Sequence, residues 1–316
     1  MKLIALIYKK IVDFRNLLYD KKKIKSYRSK IPVVSVGNIT AGGTGKTPFV
    51  VSLVKYFKSR GMNPLIVSRG YGRKTNKQIV FNLKSNKTVE EVGDEPILMS
   101  LLCPETDIAI NKNRVEAVKW AEKSSTKYDV IVLDDGFQHR ALHRDFNIVL
   151  INAEQNLSEC LPKGELREPL KNIKRADCII FTKSSSLASV PGAIANSSVP
   201  MFKSKELFAL SSSEHSCGVA FCGIGSPSSF IKTLEKLSIK IVDKIYFKDH
   251  QKYDDRAIEK IEKLLKQNNQ RVFYTTQKDW VKLPPTFLKK YYGVYVEMDV
   301  FVNDLGFQNL LLKKLK

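Results

Sequence analysis

Acidic residues are scarce in this chain. Its 316 residues carry 32 Asp and Glu against 53 Lys and Arg, a formal net charge of +21. That excess argues against a cationic partner and points to polyanions, meaning nucleic acid, an anionic membrane face or phosphorylated molecules. Cysteine is also sparse. The five present, at 103, 160, 178, 217 and 222, are odd in number and form no metal-type pair, which excludes a disulfide framework and fits free thiols in a reducing compartment. Histidine amounts to four; His139 and His143 are spaced by four, but no glutamate follows His139 and no cysteine lies close, so a zinc site is not expected. Long apolar runs are missing as well. The N-terminal run over residues 3–8 is too short to span a bilayer or form a signal-peptide core, and no small-residue cleavage site follows it.

What is present is concentrated in residues 31–51, IPVVSVGNITAGGTGKTPFVV. Residues 31–36 are apolar, mostly β-branched, and read as a buried strand. Gly37, Gly42, Gly43 and Gly45 make a glycine-rich turn, Lys46 and Thr47 follow, and Phe49, Val50, Leu53, Val54 and Phe57 then recur at helical period. Strand, glycine loop, Lys-Thr and helix in that order form a phosphate cradle. Glycines let successive N–H groups converge on phosphate oxygens, the lysine reaches the terminal phosphates, the threonine hydroxyl ligates Mg²⁺, and the helix N-terminus adds its positive end. Thr40 stands where the strict pattern has glycine, so the loop is an extended variant reaching back to Gly37.

Ahead of the cradle, Leu3, Ile4, Ile7, Ile11, Phe14 and Leu18 form one stripe of a helix flanked by Lys9, Lys10, Arg15 and the lysines at 21–23. Such a basic amphipathic helix suits an anionic membrane surface; the other reading is that the stripe packs on the neighbouring domain. After the cradle helix, residues 64–68 read as a strand ending in Arg69-Gly70-Tyr71-Gly72-Arg73, at the strand end where open α/β sheets bind ligands. Asp94, just before an apolar helical segment, reads as an N-cap. A short strand at 107–110 precedes a helix over 112–122, whose early residues Asn113 and Arg114 are expected to face the same crevice. The apolar strand at 128–133 runs into Asp134 and Asp135, carboxylates placed as a magnesium–triphosphate site needs them. Strands at 147–152 and 176–182 flank an ordered loop at 161–169. The alternation predicts a doubly wound, mostly parallel sheet of the P-loop NTPase type. Serine-rich residues 184–213 read as a linker, and 214–316 as a smaller α/β domain. The expected division is a basic helix over 1–28, a nucleotide-binding domain over 29–183, the linker, and the second domain.

Eight ordered segments carry a resemblance: VGNITAGGTGKTP (36–48), SRGYGR (68–73), VGDEP (92–96), LDDGFQH (133–139), LPKGELREP (161–169), FCGIGSP (221–227), DHQKY (249–253) and TTQKD (275–279). Together they resemble the tetraacyldisaccharide 4′-kinases. The resemblance implies transfer of the γ-phosphoryl group of ATP, with Mg²⁺, to the 4′-hydroxyl of a membrane-held tetraacyldisaccharide 1-phosphate in lipid A biosynthesis. It implies a peripheral enzyme on the cytoplasmic face of the bacterial inner membrane that meets glycolipid and anionic membrane, with no nucleic acid partner. An acceptor with four acyl chains stays in its bilayer, since each buried CH₂ is worth about 0.8 kcal/mol, so the enzyme must go to it. By resemblance, Gly42, Gly43, Thr44, Gly45, Lys46 and Thr47 hold the nucleotide; Thr47, Asp135 and Asp134 hold the metal, with Asp135 the nearer. Asp94 matches the general base and His250 its partner. Arg69, Arg73, Asn113, Arg114, Gln138, His139, Arg167 and Glu168 are candidates for the sugar and its 1-phosphate. His250 lies beyond the linker from Asp94, so the site is expected between two domains that close over it. Gln251 departs from the second histidine expected there. The rival reading, a nucleotide-hydrolysing switch on DNA or membrane, leaves segments 161–169 and 249–253 without a role. A non-catalytic adaptor would not need Asp94.

Overall fold

The structure, a computed structural model, describes residues 2–153, 155–183, 194 and 197–315. The strand of the cradle, β1 (Val33–Asn38), is buried along its whole length and sits inside the larger sheet. Continuous apolar character on both faces is what a parallel strand covered by helices on each side requires. The other strands of this sheet are β2 (Pro64–Ser68), β3 (Ile79–Phe81), β4 (Ile108–Ile110), β5 (Val130–Asp134), β6 (Phe146–Asn152), β7 (Cys178–Thr182) and β8 (Met201–Lys203). Among the described residues the order is β3-β4-β2-β5-β1-β6-β7-β8, and only β3 runs antiparallel to its neighbour.

Side chains of β1 alternate between two cores, as a period of two dictates. Val34 and Val36 join α2 (Lys46–Ser59) through Val50, Val54 and Phe57, while Val33 joins α5 (Arg114–Lys123) through Val118 and Ala121. Between these helices in the chain come the single turn α3 (Val89–Val92) and α4 (Asp94–Leu102), which packs Met99 on the α2 side. In register, Val36 of β1 lies beside Asp134 of β5. The phosphate loop leaving β1 therefore sits next to the acidic end of β5.

The second sheet has the order β11-β10-β12-β13-β9, from β9 (Lys205–Leu210), β10 (Cys217–Cys222), β11 (Lys240–Tyr246), β12 (Val272–Thr276) and β13 (Tyr292–Phe301). Among the described residues only β9 is antiparallel, paired with β13. Its helices are α6 (Pro227–Lys236), α7 (Asp255–Gln267), α8 (Gln277–Trp280) and α9 (Pro285–Lys290).

Two expectations need correcting here. The linker over 184–213 lies outside the described residues at 184–193, 195 and 196, but residues 201–210 hold two strands, β8 in the large sheet and β9 in the small one. The last helix, α10 (Leu305–Leu315), does not belong to the smaller unit. Phe307 and Leu311 pack with Val50, Val54 and Ile148 in the core of the large one, together with Val300 at the end of β13. The chain thus passes to the second sheet along β9 and returns along β13.

Helix α1 (Lys2–Asp20) docks through Ala5, Val12 and Asn16, which are buried. The apolar stripe is not what docks: Leu3, Ile4, Ile7, Ile11 and Phe14 are 50–69% exposed. That removes the reading in which the stripe packs on the domain beside it.

Candidate active site

The carboxyl ends of both sheets face one cleft of about 580 Å³. On the large unit's side lie the loop after β1, Ser68, Arg69 and Tyr71 after β2, Asp134 and Asp135 after β5, and Lys183 after β7. The small unit supplies Gly225 and Ser226 after β10, Asp249 and His250 after β11, and Thr276–Lys278 after β12. Binding at the carboxyl ends of parallel strands is the rule for open α/β sheets; here two sheets apply it to one cleft.

The phosphate loop is shaped by Gly42 at φ +102° and Gly45 at φ +77°, the left-handed region that glycine occupies without strain. Gly45 caps α2, so the first helical N–H groups open toward the loop, and Lys46 is the first helical residue. The Thr44 hydroxyl turns inward and accepts from Asn38 Nδ2 at 3.0 Å. Lys46 Nζ lies 3.6 Å from Asp135 Oδ1. Asp135, itself left-handed at φ +48°, also accepts from Arg167 Nη1 at 2.9 Å on each oxygen. Burial would raise the Asp135 carboxyl, but the charges of Lys46 and Arg167 outweigh it and hold the group below the usual carboxylate range. Its neighbour Asp134 is pushed up to about 7 by burial, with Glu95 and Asp135 adding to the shift, although Ser68 Oγ donates to it at 2.9 Å.

Across the cleft, Gly93 is at φ +98°, and a Cβ there would stand 2.8 Å from the Tyr71 carbonyl oxygen. This close approach of two loops sets the start of α4 against the end of β2. Asp94 is then the first residue of α4 rather than its cap, 5% exposed. Its Oδ2 lies 2.9 Å from His250 Nδ1, and its Oδ1 accepts from the Glu95 N–H at 2.9 Å. Burial pushes the Asp94 carboxyl up, yet the His250 hydrogen bond and the Lys278 charge more than offset it and its pKa is lowered. That of His250 is raised by Asp94 against the effects of burial and Lys278. The loop bearing Gly225 is tied down by Asp279, fully buried, which accepts from the Gly223 N–H at 2.9 Å and Thr276 Oγ1 at 2.7 Å. A Cβ at Gly225 would lie 3.9 Å from the Gly43 nitrogen, so this loop closes over the phosphate loop.

The family model for tetraacyldisaccharide-1-P 4′-kinase matches residues 1–316. The chain belongs to this kinase family. It is 39% identical over 302 residues to tetraacyldisaccharide 4′-kinase of Chlorobaculum parvum, covering 88% of this chain and 82% of that protein. It is 33% identical to the enzyme of Pelodictyon phaeoclathratiforme, covering 98% and 95%. Among solved structures, LpxK from Aquifex aeolicus in complex with ATP superimposes with a TM-score of 0.82 at 32% identity, over 99% of this chain and 98% of that one.

The residues that the kinase resemblance singles out divide into two groups. Facing the cleft are Gly42–Thr47, Arg69, Asp134, Asp135, Arg167 and His250, with Asp94 behind them in contact with His250. Arg114 interacts electrostatically with Asp135 and Asp134. The others are engaged elsewhere. Arg73 Nη1 donates to the Lys77 carbonyl at 2.8 Å within its own loop. Asn113 caps α5 by accepting from the Val115 N–H. Gln138 Nε2 bridges the Asn38 carbonyl and Glu168 Oε1, at 2.8 and 3.0 Å. Glu168 is fully buried, paired with Arg175 at 2.8 Å and with Asn16 of α1 at 3.1 Å, so its carboxylate is not presented to the cleft. His139 is held neutral, its pKa pushed down to about 3 by burial and by Arg114, Arg144 and Arg69. The sequence reading gave no role to Glu95, Lys183, Ser229 or Lys278, all of which line the cleft. For Glu95 and Lys278 a signal existed, since both lie inside family segments.

Proposed function

We propose that this chain transfers the γ-phosphoryl group of ATP to the 4′-hydroxyl of tetraacyldisaccharide 1-phosphate. Family membership supports the reaction, and one observation carries the assignment of roles: Asp94, 156 positions away in the chain, meets His250 at 2.9 Å, and His250 lines the same cleft as the Lys46 loop. The loop N–H groups and Lys46 hold the β- and γ-phosphates. The apolar end of the cleft, with Phe208, Phe230, Val296 and Met298, takes the base.

Asp94 orients the acceptor hydroxyl and takes its proton. An aspartate of lowered pKa is a weak base, but phosphoryl transfer has a loose transition state in which the proton leaves late, so positioning matters more than basicity. Arg69 and Arg114 then lie on the acceptor side, where guanidinium suits phosphate.

The donor set fits Mg²⁺. No group of three His, Cys, Asp or Glu able to hold a metal ion occurs among the described residues. A hard cation completed by water and phosphate oxygens needs only one or two carboxylates, and Asp135, Asp134 and Thr47 line the cleft together. When bound, the ion neutralises charge on the phosphate oxygens.

No described helix is long and apolar enough to cross a membrane. Membrane attachment is assigned instead to the exposed stripe of α1. Beside it a groove of about 610 Å³, lined by Ala5, Leu6, Leu166 and Leu170 together with Lys2, Lys9, Lys163, Lys171 and Glu159, offers apolar surface with an excess of positive charge.

The reaction is tested by following γ-labelled phosphate from ATP to the acceptor in detergent micelles with wild type, Lys46→Ala and Asp94→Ala. Transfer by wild type alone supports the assignment. Transfer surviving Asp94→Ala discards Asp94 as the base, and nucleotide hydrolysis driven by DNA or vesicles, without transfer, revives the switch.

A further inference from the structure

Lys278 is the first cation to meet the Asp94–His250 pair, and it comes from neither partner's segment. Its ammonium, on the single-turn helix α8, lies 3.2 Å from His250 Nε2, 3.4 Å from Glu95 Oε1, 3.6 Å from Asp249 Oδ1 and 4.0 Å from Asp94 Oδ2. Three carboxylates and one imidazole thus surround one side chain that is 19% exposed. Two of those carboxylates belong to α4 of the large unit, and the other groups to the small one.

An ammonium has hydrogens to give and no lone pair to accept with. At 3.2 Å from Nε2 it must face the imidazole lone pair, which leaves the ring hydrogen on Nδ1, pointing at Asp94 Oδ2. We propose that Lys278 is a positioning residue that fixes His250 as the neutral Nδ1–H tautomer and thereby holds Asp94 as an aimed carboxylate. This rests on the reading of Asp94 and His250 given above. A second proton on His250 would bring an Nε2–H against the ammonium, so Lys278 opposes the charged imidazole that Asp94 favours. The groups facing the ring are Asp94 from α4, Asp249 from its own loop, Lys278 from α8, and the Tyr71 ring, 5.2 Å away, from the loop after β2, while Glu95 of α4 reaches Lys278. Lys282 adds its charge to Asp94 from farther along the chain. Burial lowers the Lys278 pKa, but Glu95, Asp94 and Asp249 more than restore it, so the ammonium persists at neutral pH.

The same contacts let Lys278 bridge the two units. Its partners on α4 are present only while the two units are together. Once they part, His250 loses Asp94 as the acceptor of its Nδ1–H and keeps Lys278 at Nε2.

The test combines kinetics with a tautomer measurement. For kcat/KM of the acceptor against pH at saturating ATP, Lys278→Met is expected to lower kcat by tenfold or more with the KM for ATP within about threefold. Its acidic limb should shift upward by about one pH unit, because removing the cation eases protonation of both His250 and Asp94. Lys278→Arg should return the limb to its wild-type position. In ¹⁵N-histidine-labelled wild type with a non-hydrolysable ATP analogue, His250 should give the Nδ1–H signature. An Nε2–H signature, or a Met variant with wild-type limb and kcat, overturns the proposal. If Lys278→Met fails to fold, the arginine variant and the wild-type spectrum still decide. Absence of transfer by wild type would instead strike the kinase reading, which the tautomer measurement does not depend on.

Discussion

At Asp94, burial and pairing act in opposite directions, and pairing wins. The carboxylate therefore survives well below neutral pH, and changing it to the neutral isostere should remove proton acceptance without disturbing packing. Asp94→Asn is expected to lower kcat by about 10²- to 10⁴-fold while ATP affinity, measured by calorimetry, stays within a few-fold. His139 gives a stability prediction of definite sign. Its folded pKa, about 3, lies below the ordinary 6.5. The unfolded chain thus takes up a proton that the folded one refuses, and the contribution to stability, complete above pH 6.5, is lost as pH falls toward 3. Between pH 7 and pH 5 the wild type should lose about 2 kcal/mol more than His139→Gln in urea titrations; parallel losses would disprove the neutral buried state. These roles were unevenly legible. The phosphate loop could be read directly because its chemistry is local: glycines, lysine and threonine lie within six positions. Lys278 lies in a family segment, but its role could not be read there, because the groups that make it central arrive from far away, Glu95 across 183 positions and His250 across 28. A lysine after a strand otherwise reads as a solvated side chain.

Among the elements, α1 has one face on the protein and one exposed, to which the membrane contact is proposed. Ala5, Val12 and Asn16 face the protein, and the polar contact from Asn16 reaches Glu168, which pairs with Arg175 and Gln138. Arg167, next to Glu168, grips Asp135. Serine at Ile11 and Phe14, both more than 60% exposed, should cut co-sedimentation with anionic vesicles several-fold while leaving the melting temperature within about 2 °C. Asn16→Leu should do the reverse, keeping vesicle binding and destabilising the fold, since it removes a buried hydrogen bond to Glu168 and leaves that carboxylate to Arg175 and Gln138. Helix α10 makes a different point. Chain order assigns it to the smaller domain over 214–316, but it joins the larger sheet, because an amphipathic stripe specifies that a face is buried, not against what. Leu311→Ala, at a fully buried position, should therefore destabilise the nucleotide-binding unit by about 2–4 kcal/mol. Strand β9 escaped notice for a related reason. Only alternate residues of Lys205–Leu210 are half-buried, and a serine-rich stretch runs up to it.

For the molecule as a whole, the proposed membrane attachment gives the excess of 21 positive charges and the exposed stripe of α1 the same partner. Binding to anionic vesicles should weaken as salt rises from about 0.1 to 0.5 M, over which screening lengths shrink to a few ångströms, and a residue of salt-resistant binding should vanish when residues 1–20 are removed. The cleft needs both sheets, and an ATP analogue should draw them together; identical small-angle scattering profiles with and without the analogue would contradict a closing motion of any size. What joins the sheets is the pair β9 and β13, antiparallel and in register from Lys205–Phe301 to Leu210–Val296. Outgoing and returning chains are thus hydrogen-bonded neighbours, and everything between residues 211 and 295 has the topology of a guest inserted into a host. The guest can be excised and the two strands joined by a two-residue hairpin turn, which their twist accepts. The shortened host keeps α10, its core and the phosphate loop, and is expected to fold and bind phosphate while having lost His250 and Lys278. Cutting the chain once, at any single point in that ribbon, leaves no such half, because the host is completed only by its last helix.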